Sequence, residues 1–231
     1  MLARLFVAAV LIALVPASGV AAGRPVVVEL FTSQGCSSCP PADAFVTDLA
    51  NRGDDILPLA FHVTYWDYLG WKDPFSLKAA TELQGLYADR FGNDSFTPEI
   101  VVDGREGLVG SDRVKVEAAI LAASKERISA ASINATQRQG TIAITVGAGS
   151  GNARIVVIGY DHRHRTPIGR GENAGRALID SNVVRSVNVV GNWTVQAVDI
   201  STTAPEGEAS AVLLLDKDGS VLGAARTSPA A

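Results

Sequence analysis

Hydrophobic and polar positions alternate along this chain in two styles, and the change falls near residue 127. Before it, apolar runs alternate with helical spacing. Val26–Phe31 is a β-branched run that predicts a buried strand. In residues 42–52 the apolar positions Phe45, Val46 and Leu49 recur at helical spacing, Pro40 and Pro41 suit a first turn, and Gly53 suits a stop. A second strand is predicted over Ile56–Val63, then an aromatic stretch Tyr65–Trp71, then a helix over Ser76–Phe91 with Ser76 as its cap. Glu99–Val102 and Leu108–Val109 read as a hairpin turning at Asp103-Gly104. A last helix runs from Ser111 or Asp112 to Lys125, with Val114, Ala118, Ile120 and Leu121 on its apolar side.

After Arg127 the pattern becomes one of short alternating strands. They are expected at Ile128–Thr136, Thr141–Val146, Ala153–Tyr160, Val183–Val190, Trp193–Ile200, Ala211–Leu215 and Val221–Ala225. Several short strands without a helix predict a β-sandwich. The expected division is therefore an α/β unit over 24–127 and an all-β unit over 128–231. Ahead of both, Arg4, the apolar run Leu5–Val15, Pro16 and the small residues up to Ala22 read as an export signal over residues 1–22. The uncleaved alternative is a membrane anchor, for which the run is short. The reading gives a secreted or periplasmic protein with no membrane contact after cleavage.

Composition narrows the chemistry. The 231 residues carry a formal net charge of −4 and no basic patch, which argues against nucleic acid as a partner. There are only two cysteines, Cys36 and Cys39, separated by two residues. A disulfide closing so short a loop stabilises little, because the entropic gain grows with loop length. The pair therefore points to redox chemistry or metal binding, with a structural bond as the plain alternative. Its position between a strand and a helix favours redox, since helix N-terminal amides stabilise a thiolate. Cys36 would be the attacking thiolate and Cys39 the resolving thiol. A tetrahedral metal site generally needs more ligands than two cysteines. The histidines are His62, His162 and His164, and the last two would add ligands only if the second unit folds back onto the first.

Other positions have both a functional and a plain reading. Thr97-Pro98 precedes the third strand, where a cis proline beside the cysteines would pair with an extended substrate backbone; the plain reading is a trans proline opening an edge strand. His62 ends the second strand and would tune the thiolate, or is simply a packed histidine. Trp66, Tyr68 and Trp71 line a substrate groove or fill the core, and Asp67 caps a turn. Glu172, Asn173 and Arg176, in the glycine-rich segment 169–176, tie the two units together or form a structural turn. Asp43 reads as a helix-surface residue.

The segments ELFTSQGCSSCPPAD, FHVTYWDYLGWKDPF, FTPEIVVDG and GENAGRALIDSNVVR resemble a bacterial family of secreted thioredoxin-like proteins, the domain of unknown function twelve twenty-three. The resemblance implies an α/β thioredoxin-like domain followed by an all-β sandwich-like domain. It also implies disulfide exchange at Cys36 and Cys39, with Pro98 placing the substrate. The Ser-Ser between the cysteines departs from the Gly-Pro of thioredoxin and the Pro-His of strongly oxidising periplasmic enzymes, and leaves the direction of exchange open. The expected function is an exported thiol–disulfide oxidoreductase acting on protein or small-molecule thiols and disulfides, without cofactor or metal and of open oligomeric state. The alternatives are a copper-binding protein using the same cysteines with His62, and a non-catalytic interaction scaffold.

Overall fold

The computed structural model describes residues 23–126 and 129–230; the expected export signal lies outside them. Strand β1 (Val26–Thr32) is buried along its whole length, as a β-branched run covered on both faces must be. Helix α1 (Pro40–Ala50) follows, then β2 (Ile56–His62), a short 3-10 turn (Thr64–Trp66) and helix α2 (Lys78–Phe91). Next come β3 (Glu99–Val102), β4 (Glu106–Val109) and helix α3 (Arg113–Lys125). The remainder is β5 (Ile133–Arg138), β6 (Thr141–Val146), β7 (Asn152–Pro167), β8 (Ala177–Thr194), β9 (Val198–Thr203), β10 (Ala209–Leu215), β11 (Val221–Arg226) and β12 (Ser228–Pro229).

These strands form two mixed sheets. The larger has the order β11-β10-β7-β8-β2-β1-β3-β4 and the smaller β12-β5-β6-β9. The expectation of an α/β thioredoxin-like domain followed by an all-β sandwich is overturned. The described residues are mostly strand, with three α-helices, and β7, β8, β10 and β11 extend the sheet that β1–β4 begin. The physical cause is the length of β7 and β8, 16 and 18 residues. One end of this hairpin packs on the small sheet through Ile155, Val157 and Trp193. Farther along, β8 pairs with β2 at Ala60 and Val183, and Asn182 Nδ2 donates to the Pro58 carbonyl at 2.8 Å. Two strands expected between Val183 and Ile200 are thus β8 and β9, and Gly191, opposite Ile155, lies inside β8 rather than in a turn.

Helices α1 and α3 cover one face of the large sheet around Val28, Leu30 and Ile100, and α2 covers part of the other around Phe31, Phe61 and Leu213. The sheet bends so that its far edge returns toward β1–β3. Val221 N–H donates to the Asp103 carbonyl at 3.0 Å, and Arg226 donates to the Ile56 carbonyl at 2.6 Å. This return explains Gly104: its φ is +65°, and an added Cβ would strike the Gly219 carbonyl.

Two local expectations fail. Helix α3 buries Val116, Ala119, Ile120 and Ala123, while Val114, Ala118 and Leu121 face outward. Small alanines let the helix lie close to the sheet on a stripe that large side chains do not mark. Ser76 does not cap α2; its hydroxyl donates to Asp67 Oδ2 at 2.7 Å, and α2 starts after Leu77. Asp67 also accepts the Asp73 amide, and so ties the turn. Asp112 does cap α3, accepting from the Lys115 amide at 3.2 Å.

Candidate functional site

Cys36 and Cys39 form a disulfide, with sulfurs 2.13 Å apart and both residues fully buried. Cys39 is the N-cap residue of α1. The expectation that free helix amides serve a thiolate needs correction. Pro40 and Pro41 have no N–H to offer, and the Ala42 and Asp43 amides both donate to the Cys39 carbonyl, at 2.9 and 3.1 Å. The donor nearest the sulfur is instead Ser38, whose Oγ lies 3.3 Å from Cys36 Sγ.

Ser38 also donates to the Thr97 carbonyl at 3.4 Å, and the Thr97–Pro98 peptide is cis. Trp66 Nε1 donates to Thr97 Oγ1 at 2.8 Å, so Trp66 backs this corner. Tyr68 lies apart, 78 % exposed. Trp71 Nε1 donates to Gln34 Oε1 at 3.2 Å.

The loop joining β7 and β8 straps over the disulfide. Asn173, fully buried, donates through Nδ2 to the carbonyls of Gln34 and Cys36 at 3.0 and 2.9 Å, and Arg176 holds its Oδ1 at 3.0 Å. Glu172 Oε2 accepts the Ser37 amide at 3.1 Å, and hydrogen bonding from Ser37 holds this carboxyl below the usual range. Glu172, Asn173 and Arg176 therefore join the two halves of the chain at the cysteine loop.

Beneath that loop lies a cluster of buried ionisable groups. His62 stands opposite Thr32 in the β1–β2 ladder, which sets it under the turn leading to Cys36. Its Nδ1 is 2.7 Å from Asp73 Oδ2, both side chains are fully buried, and Nε2 has no partner. Burial pulls the His62 pKa down, but Asp73, Asp180 and Asp43 more than offset it and set the value at about 9. Burial pushes Asp73 up; His62 and the Gln34 and Phe75 amides, donating at 2.8 and 2.9 Å, outweigh it and hold Asp73 below the usual carboxylate range. This is an ion pair sealed from water. Gln34 Nε2 donates to Asp180 Oδ2 at 2.7 Å, and burial pushes Asp180 up.

Asp43 completes the cluster. Far from lying on the helix surface, it is buried and accepts from Thr32 Oγ1 at 2.7 Å. Burial and the nearby Asp180 push its carboxyl to about 8. It stands one turn beyond Cys39, on the same buried face of α1. A cleft of about 310 Å³, lined by Pro40, Asp43, Thr47, Arg163 and Leu178, runs between α1 and the β7–β8 hairpin beside this residue.

No motif in the sequence points to Asp73, Asp180 or Gln34 as functional, and Asp43 reads there as a helix-surface residue. One signal is available: Asp180 interrupts an apolar strand within the segment GENAGRALIDSNVVR. The second half of the chain does approach the site, since His164 packs on Phe75 with ring centroids 4.4 Å apart and Phe75 meets His62 edge-on at 5.6 Å. Among the described residues no three His, Cys, Asp or Glu side chains are grouped to hold a metal ion.

Comparisons with known proteins agree on the architecture and are silent on activity. A protein from Agrobacterium tumefaciens, solved by X-ray crystallography, is similar at 30% identity with a TM-score of 0.75, over 87% of this chain and 92% of its own. HBP35 of Porphyromonas gingivalis shares the fold, with a TM-score of 0.69 at 14% identity, over 90% of this chain and 78% of its own. No curated protein matches. The sequence profile described as "Protein of unknown function (DUF1223)" matches residues 27–215, and the chain belongs to that family.

Proposed function

We propose that this protein is an exported thiol–disulfide oxidoreductase working through Cys36 and Cys39. The observation that carries the reading is a disulfide spanning only two residues, set at the head of α1 against Thr97-Pro98 and above buried, proton-holding carboxyls. A bond closing so short a loop adds little stability, so its placement calls for another explanation.

In the reduced form the Cys36 thiolate attacks a substrate disulfide. A bond forms between Cys36 Sγ and one substrate sulfur, and the other leaves as a thiolate. Cys39 then loses its proton and attacks Cys36 Sγ, releasing the second substrate thiolate and restoring the Cys36–Cys39 bond. Two electrons pass from the cysteines to the substrate, and the reverse sequence oxidises a dithiol. The Ser38 hydroxyl is placed to donate to the Cys36 thiolate. Asp43, one turn past Cys39, is a group that exchanges a proton near neutral pH.

Thr97 and Trp66 form the surface that receives the substrate thiol or disulfide, with Pro98 holding it beside the sulfurs; Tyr68, which lies apart, takes no part. Because both cysteines are buried, exchange requires the Glu172–Asn173 strap to part from the loop. The test is capture of the mixed disulfide. Cys39→Ser, incubated with glutathione disulfide, should accumulate a glutathione adduct on Cys36, detected by mass spectrometry. Cys36→Ser should hold far less. A Cys39→Ser protein that is folded by circular dichroism yet captures nothing would overturn the reading.

A further inference from the structure

Away from the cysteines, the face of the large sheet that carries α2 holds polar atoms left unsatisfied by their apolar surroundings. A cavity of about 280 Å³ lies between α2 and strands β7, β8 and β10. Its walls include Phe61, Leu83, Leu86, Ile158, Val187 and Leu213. Three charged side chains line it: Glu29 from β1, Arg154 from β7, and Glu82 from α2, whose carboxylate is already paired with Lys78 at 2.8 Å on the exposed rim. Glu29 is fully buried; its Oε2 accepts from the Tyr87 hydroxyl at 2.7 Å, while Oε1 has no partner. Arg154 Nε is likewise buried and unpartnered. A buried polar group without a partner is costly, and such groups point to an absent ligand more often when they share a cavity.

Both groups belong to one end of the cavity. Arg154 pairs across the ladder with Leu215, at the base of the β10–β11 turn. The Tyr87 hydroxyl that holds Glu29 also donates to the Gly219 carbonyl in that turn, at 3.1 Å. Arg154 in addition lines an open depression with Asn152, Asn192, Asp216 and Lys217, so this end reaches water. Val187 and Ile158 keep the middle apolar.

The protonation of Glu29 decides what the ligand must offer. Burial, with smaller contributions from Asp103 and Glu99, pushes this carboxyl up to about 8 against the opposing hydrogen bond from Tyr87. It therefore keeps its proton at neutral pH and adds no negative charge to this end of the cavity. The Arg154 Nε–H is the unpartnered donor, and what it lacks is an acceptor.

We propose that this cavity binds a single-chain amphiphile, its unbranched apolar tail lying along α2 and its carboxylate accepting from Arg154. The site is separate from the disulfide and does not depend on its chemistry.

Calorimetric titration of the folded protein with decanoate, below its micelle-forming concentration, tests this. One decanoate should bind per chain. Arg154→Met should weaken binding by about tenfold or more, the worth of a charge-assisted hydrogen bond. Val187→Trp, which fills the cavity, should abolish it, and Leu83→Trp serves the same purpose should the first variant fail to fold. Decanol should bind at least about tenfold more weakly than decanoate. Absence of decanoate binding, equal affinity for decanol, or affinity unchanged in the filled variant would each overturn the proposal.

Discussion

Replacing Asp73 with alanine should cost about 3–5 kcal/mol, the usual penalty for removing one partner of a buried ion pair. Three donors converge on this carboxylate: His62 Nδ1 and the amides of Gln34 and Phe75. Alanine leaves all three in a site closed to water. For a chain of this length the melting temperature should fall by about 10 °C.

The pH dependence has a definite sign. The folded His62 pKa is raised to about 9, so its contribution is complete below its unfolded value near 6.5 and disappears as pH rises through about 9. The folded Asp73 pKa is lowered, so its contribution is complete above about 4 and is lost on acidification. The deficit of Asp73→Ala should therefore be largest between about pH 4 and 6.5 and should shrink toward pH 9. A deficit that is flat across this range would mean that the pair is not ionic.

Asp43→Asn should do the opposite and stabilise the protein at neutral pH. Folded Asp43 keeps its proton up to about pH 8, whereas the unfolded chain releases it near pH 4. Across that interval the native state binds more protons than the unfolded one, so this group makes stability fall as pH rises. Asparagine retains an oxygen to accept from Thr32 and has nothing to ionise. With the cost shared between Asp43 and Asp180, the gain at pH 7.5 should be about 2 kcal/mol, vanishing below about pH 4. The same variant should slow disulfide exchange, because the proton-exchanging group beside Cys39 is gone. Stabilisation together with loss of exchange is the signature of a residue retained for function. A melting temperature below wild type at pH 7.5 would refute the assignment of a raised pKa.

How much of this was legible in the sequence follows from what each feature depends on. Strands β1, β2 and β3 and helices α1 and α2 announce themselves through local periodicity, and their limits fall within a few residues of expectation. The cysteine pair at the head of α1 was legible for the same reason. The joining of the two halves was not. It depends on long-range contacts, among them the pairing of Ala60 with Val183 and the bonds of Asn173 and Asn182, and on β8 continuing through Gly191, a residue that reads locally as a break. Asp43 was misjudged because α1 is covered on two sides: Phe45 and Leu49 face the core, while β8 closes another flank, where Ser181 and Thr47 hydroxyls meet at 2.9 Å. A helix with two covered faces loses its polar side, and a single hydrophobic stripe underestimates its burial. Gln34, Asp73 and Asp180 come together only through sheet register and loop closure, which no periodicity encodes.

The central claim is that the Cys36–Cys39 bond is exchanged rather than kept. Equilibrating the purified protein in glutathione buffers of graded potential, and quantifying reduced cysteine by alkylation, addresses it directly. The account predicts a reversible two-electron transition between about −300 and −120 mV, the span of known exchange proteins. A bond that stays closed well below about −300 mV would mark it as structural and would contradict the account.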